Sequence, residues 1–179
     1  MRLQTMVMAA ALLVLVPAAA HAQWEIEADP VAYALGGFSA HVARELPDGR
    51  ERLQVGIFGA DVPASFLDND AFTESSRGVT AKFDYFVRNR TAGFFVGVDG
   101  DYSREHFGLK ATGNSTDRNN FGLGPRIGYR FEIGQHLYVT PWFSAAYEFN
   151  VHDDVVLSGQ RFDQQKHSLF ATVHAGWRF

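Results

Sequence analysis

Apolar and polar residues alternate along most of this 179-residue chain, and clusters of turn-forming residues break the alternation at intervals. Strict period two over about ten residues marks a strand with one apolar and one polar face. In the last run, Leu169, Ala171, Val173, Ala175, Trp177 and Phe179 alternate with Thr172, His174, Gly176 and Arg178. Comparable runs occupy 38–46, 51–62, 78–88, 92–105, 119–132 and 136–150, with the last at 168–179. The connections PDGR, NRT and IGQ are short, whereas 63–77, 106–118 and 151–167 are long. An even strand count then requires one more run, and QWEIEAD (23–29) supplies it, with Trp24, Ile26 and Ala28 against Glu25, Glu27 and Asp29. Between this run and the next, Asp29 suits a helix cap, Pro30 a first helical position and Gly36–Gly37 a helix end. These residues predict a short helix over 30–37.

Short turns at one end and long loops at the other are the asymmetry of a transmembrane β-barrel. Periodicity alone does not say which face is outside, but the content of the faces does. On 121–131 one face reads Phe121, Leu123, Pro125, Ile127, Tyr129, Phe131; the other reads Asn120, Gly122, Gly124, Arg126, Gly128, Arg130 and Glu132. A solvated outer face has no use for so many glycines, whereas a crowded lumen needs them beside long charged side chains. Aromatics gather near the strand ends, as in the girdles of membrane barrels. The expected fold is all-β: an eight-stranded antiparallel transmembrane β-barrel, apolar face toward lipid, with a short N-terminal helix at the extracellular mouth.

Composition refines this picture in three places. Residues 1–22 combine Arg2, an apolar core and an Ala20-His21-Ala22 cleavage pattern, which predicts a secretory signal peptide followed by a barrel domain at 23–179. There is no cysteine, so neither disulfides nor thiolate metal sites are available. The net charge of −4 is spread along the chain, and no basic patch points to nucleic acid.

With its signal sequence, eight alternating runs and terminal aromatic strand, the chain resembles the small outer-membrane barrels of Gram-negative bacteria, the OmpA/OmpX/OmpW-type group. The resemblance implies an outer-membrane location with both termini periplasmic. It also implies contact with outer-membrane lipid and lipopolysaccharide, and a monomeric state. In that group a final strand ending like Trp177–Phe179 is the signal read by the barrel-assembly machinery.

The polar faces place Glu25, Glu27, His41, Lys82, Asp84, Asp99, Asp101, Arg126, Arg130, Glu148, His174 and Arg178 in the lumen. Charges of both signs there predict a salt-bridged plug rather than an open conduit. Pro125 and Pro141 fall on the lipid face of one hairpin, Pro125 opposite about Phe143 and Pro141 opposite about Ile127. Each removes a ladder donor, so a bulge or lateral seam is expected. Such a seam is similar to the proline-lined gaps of the outer-membrane lipid A palmitoyltransferase. Ser103, His106, His152, Asp153, Asp154, His167 and Ser168 lie near the rim but show no triad spacing. Ser39-Ala40-His41 reverses the His-x-Ser order of the lipid A deacylase barrel. The expected role is therefore non-enzymatic: envelope structure, surface-loop interaction or porin-like passage of small solutes, with no cofactor or metal. A lipid-modifying enzyme and an exported soluble barrel binding an apolar ligand are the alternatives.

Overall fold

The computed structural model describes residues 23–62, 67, 69–88, 91–149 and 154–179. The predicted signal segment and the rim residues His152 and Asp153 lie outside the described residues. Eight strands close into one antiparallel barrel: β1 (Trp24–Ala28), β2 (Phe38–Glu45), β3 (Glu51–Val62), β4 (Phe72–Phe86), β5 (Gly93–Leu109), β6 (Ser115–Ile133), β7 (Leu137–Glu148) and β10 (His167–Arg178). A two-stranded ribbon, β8 (Val155–Leu157) and β9 (Gln160–Phe162), stands in the connection between β7 and β10. The pairs can be followed from Ile26 through Val42, Val55, Ala81, Gly100, Leu123, Tyr147 and His167. The β1–β10 register then leads to a point ten residues beyond Ile26. Strand number and this stagger together fix the tilt of the strands and the bore of the barrel, which side chains fill.

The face assignment is unambiguous. Ile26, Val55, Ile57, Val79, Val96, Val98, Ile127 and Phe143 are exposed on the outside, while Glu25, Glu27, Arg52, Lys82, Asp84, Arg126 and Arg130 are buried within. This is the reverse of a soluble carrier barrel, and it is the distribution of a barrel solvated by lipid. Glycines on the inner face admit large neighbours: a Cβ on Gly56 would enter the His41 ring, and one on Gly176 the Tyr138 ring.

Three features differ from the sequence reading. First, β4, β5 and β6 run past the apolar band, to Phe72, Leu109 and Ser115, where connections were expected. The outer face of these extensions carries Thr73, Ser75, Arg77, Arg104, His106, Asp117 and Asn119, so the lipid-type alternation vanishes there. Inward-facing Phe72, Phe107 and Leu109 instead bury against Val155 and Phe162 of the ribbon, which folds over the lumen at this end. Second, the helix α1 is confined to Pro30–Ala34, with Asp29 Oδ1 accepting from the Val31 and Ala32 amides and Gly36 at φ 83°. It is set into the wall on the long-loop half, between β10 and β2. There Asp29 Oδ2 accepts from Thr172 Oγ1 at 2.7 Å, and Val31, Tyr33 and Leu35 point outward. Third, the β6–β7 turn is Gly134–His136 rather than 133–135, with Gly134 at φ 75°. That one-position shift moves the register by two, so Ile127 faces Phe143, and Pro125 and Pro141 each sit in a gap of the β6–β7 pairing.

The exposed band predicts a depth-dependent response. Ile57→Arg, at mid-band, should cost about 2–4 kcal/mol in urea unfolding from lipid bilayers. Asp61→Arg on the same strand, beyond the band, should change the midpoint little.

Candidate functional site

The lumen nearest the short turns holds a dense ion-pair network whose hub is Arg52, 1% exposed. Its position follows from β3's alternation: Leu53, Val55 and Ile57 face out, so Arg52 and Gln54 face in. The guanidinium reaches three carboxylates on two strands, with Nε at 2.7 Å from Glu25 Oε2, Nη1 at 3.1 Å from Asp84 Oδ2, and Nη2 bonded to Glu27 Oε1. Glu25 also accepts from Arg130 Nη1 (2.8 Å), the Tyr138 hydroxyl (3.2 Å) and Arg178 Nε (3.2 Å). Glu27 also accepts from Gln54 Nε2 and from His174 Nδ1, the latter at 2.8 Å. Arg126 Nε lies 3.4 Å from Asp84 Oδ1.

Aromatic rings complete the layer. Arg126 and Lys82 lie over Trp142, and Arg130 lies over Tyr138 at 3.9 Å from the ring centre. His41 stacks on His174 with centroids 4.8 Å apart, and its Nε2 is 3.3 Å from Lys82 Nζ. These cation–ring contacts strengthen where water is excluded.

Of the expected lumen set, Glu25, Glu27, His41, Lys82, Asp84, Arg126, Arg130 and His174 converge in this layer, and Arg178 joins it from the rim, where it also bonds Glu132. Asp99, Asp101 and Glu148 lie higher and do not join the hub. Asp99 accepts from Thr80 Oγ1, while Glu148 accepts from Asn120 Nδ2 and Ser168 Oγ. His41 lies in the lumen as expected from its face, against Lys82 and His174, with Nδ1 3.1 Å from Ser39 Oγ. Arg52, Tyr138 and Trp142 were not singled out from the sequence; the outward set Leu53–Val55–Ile57 was the available signal for Arg52. Trp177 faces outward at the short-turn end, stacked on His136, and the Phe179 amide donates to the Trp24 carbonyl.

The wall at Pro141, but not at Pro125, carries an apolar groove of about 630 Å³, lined by residues that include Val31, Ile127, Pro141, Phe143 and Val173. At the long-loop end, beneath the ribbon, Gln164 Nε2 and Asn120 Nδ2 donate to Glu105. Burial, and then the negative charge of Glu105, push Glu74 up to about 7.

No protein-family model matches the chain. Over 99 residues, 47% of this chain, it is 32% identical to the putative uncharacterized protein YaiT of Escherichia coli (strain K12). Over 97 residues, 46% of the chain, it is 28% identical to the uncharacterized protein YaiT of Salmonella typhimurium (strain LT2). The matched stretch spans only 10% of the length of either curated relative. Among solved structures, a major outer membrane protein from Thermus thermophilus aligns with a TM-score of 0.48 at 16% identity, covering 89% of this chain and 100% of that one. Neisserial surface protein A aligns with a TM-score of 0.42 at 15% identity, covering 88% and 94%.

Two outcomes follow from these charges. Arg52→Met leaves three buried carboxylates short of their shared cation and should cost about 3–5 kcal/mol in denaturant unfolding. Glu74, whose folded pKa is raised, binds its proton more tightly in the folded state. Its contribution is therefore fully present below the unfolded value of 4.5 and is lost as pH rises to about 7. Glu74→Gln should flatten that part of the stability–pH curve.

Proposed function

We propose that this chain is an outer-membrane barrel whose lumen is closed by its own side chains, and that it serves as a non-conducting scaffold. The observation that carries this reading is Arg52, buried in the lumen and bonded to Glu25, Glu27 and Asp84 from strands on either side of its own. A guanidinium held across the bore by three carboxylates is a short-range, charge-assisted crosslink, which supports a filled lumen rather than a solute path. The ribbon packed on Phe72, Phe107 and Leu109 adds a second cover at the other end. On this reading the short turns and both termini are periplasmic, and the extended β4–β6 rim stands outside the cell. Outer-membrane lipid and lipopolysaccharide surround the apolar band, and the barrel works as a monomer.

The scaffold supports chemistry or recognition on its outer wall and rim rather than through its bore. Planar-bilayer recording tests this. Inserted protein of verified heat-shifted mobility should show no steady single-channel current; a constant open conductance would overturn the scaffold reading.

A further inference from the structure

Just beyond the apolar band, the register of three neighbouring strands aligns residues that are far apart in sequence. Ser75 of β4 stands opposite His106 of β5, and His106 stands opposite Asp117 of β6. All three share the outward parity of exposed Val79, Tyr102 and Phe121 on the same strands. Directly opposed side chains on one sheet face have Cβ atoms about 4.5–5.5 Å apart. His106 Nδ1 donates to Asp117 Oδ1 at 2.6 Å, and Arg104 Nη2 donates to Asp117 Oδ2 at 2.6 Å. Those bonds hold the Asp117 carboxyl below its ordinary pKa, so it stays an acceptor. An imidazole tied down this way through Nδ1–H presents the lone pair of Nε2.

On the other side of the imidazole, Ser75 and His106 line a recess of about 300 Å³ together with Asp61, Val62, Thr73 and Glu74. Among the described residues nothing hydrogen-bonds the Ser75 hydroxyl. Catalytic serine–histidine contacts are commonly loose before substrate binds and tighten in the complex. Arg77 follows two positions along the same face of β4, and its cross-strand partner is Arg104.

We propose that Ser75, His106 and Asp117 form a serine esterase site that cleaves acyl esters of membrane amphiphiles at the bilayer surface. Ser75 Oγ attacks the ester carbonyl carbon as His106 Nε2 takes the hydroxyl proton. The tetrahedral adduct collapses, the alcohol leaves with that proton, and an acyl-Ser75 ester remains. Water then adds to the acyl carbon, gives a proton to His106, and releases the carboxylic acid as Ser75 regains its hydrogen. Asp117 positions and stabilises the imidazolium without taking the proton. Arg77 is the cation available to the oxyanion.

The substrate class follows from what borders the row. Toward the barrel middle, Val79, Tyr102 and Phe121 begin the apolar band on the same three strands, a bed for acyl chains. Arg77 and Arg104 stand between band and site, and their charge draws anionic amphiphiles to this flank of the wall.

The test uses the whole barrel, folded in detergent and checked by heat-shifted mobility. It is given phosphatidylglycerol in mixed micelles and, separately, the water-soluble ester p-nitrophenyl butyrate. A fluorophosphonate probe traps the nucleophile, and mass spectrometry locates it. The expected result is fatty-acid release from micelles and a probe adduct on Ser75. Ser75→Ala and His106→Ala should lower release at least about a hundred-fold. Asp117→Asn should lower kcat with little change in KM. All three side chains project outward, so the variants keep their mobility shift. Absence of both turnover and adduct, or equal turnover by Ser75→Ala, would overturn the site. Turnover confined to the soluble ester would overturn the amphiphile assignment.

Discussion

The barrel depends on one guanidinium. β1 is a five-residue strand, paired with β10 over four positions and with β2 over five, so its ladder is a weak closure for an eight-stranded ring. Its two inward carboxylates, Glu25 and Glu27, compensate by reaching across the bore. Arg52 on β3 binds both, Arg130 on β6 and Tyr138 on β7 bind the first, and His174 on β10 binds the second. The cost of burying these charges is offset by the multiple bonds that Glu25 and Glu27 accept, although Gln54 Oε1, Asp84 Oδ1, Arg126 Nε and Nη1, and Arg130 Nε in the same layer lack a hydrogen-bond partner. The closure thus rests on side chains in the middle as much as on backbone pairing at the seam.

Outside, the constraint is the bilayer. A wall with no water at its surface must satisfy its backbone groups internally, and closure does so along the ladders, interrupted at the two proline gaps of the β6–β7 pairing. α1 meets the same demand where β1 stops short: a helical turn bonds its own backbone groups, and Asp29 ties it to β10 through Thr172. Beyond the band the rule relaxes. There β4, β5 and β6 carry polar residues outward and pack Phe72, Phe107 and Leu109 inward beneath the ribbon.

Most of the barrel was legible in the alternation, because in lipid the two faces of a strand differ as sharply as they do across a water-solvated sheet. The strand extensions were not legible for the same reason. Thr73, Ser75 and Arg77 read as a loop when an apolar outer face is the criterion. Their inward partners Phe72 and Phe107 carried the signal in the opposite phase. Arg52 was hidden by its neighbours, lying between Glu51 and a run of apolar residues beside a charged turn. Parity with Leu53 and Val55 would have placed it. The proline register missed by two because the turn begins at Gly134, and a one-residue error in a turn is doubled across a hairpin. The Ser75–His106–Asp117 row had no sequence signature at all. Three strands must first be set side by side before those residues become neighbours.

The unequal lengths of the strands have a consequence for how the molecule sits among its neighbours. β4, β5 and β6 rise past the bilayer while β1 and β2 end low, so among the described residues the strand wall beyond the membrane stands higher on one flank. A round barrel therefore has a front and a back. Molecules diffusing in the membrane plane meet a polar sheet wall on one approach and, on the other, a helix laid in an apolar wall. The protein is a directional object in a fluid that has no direction of its own.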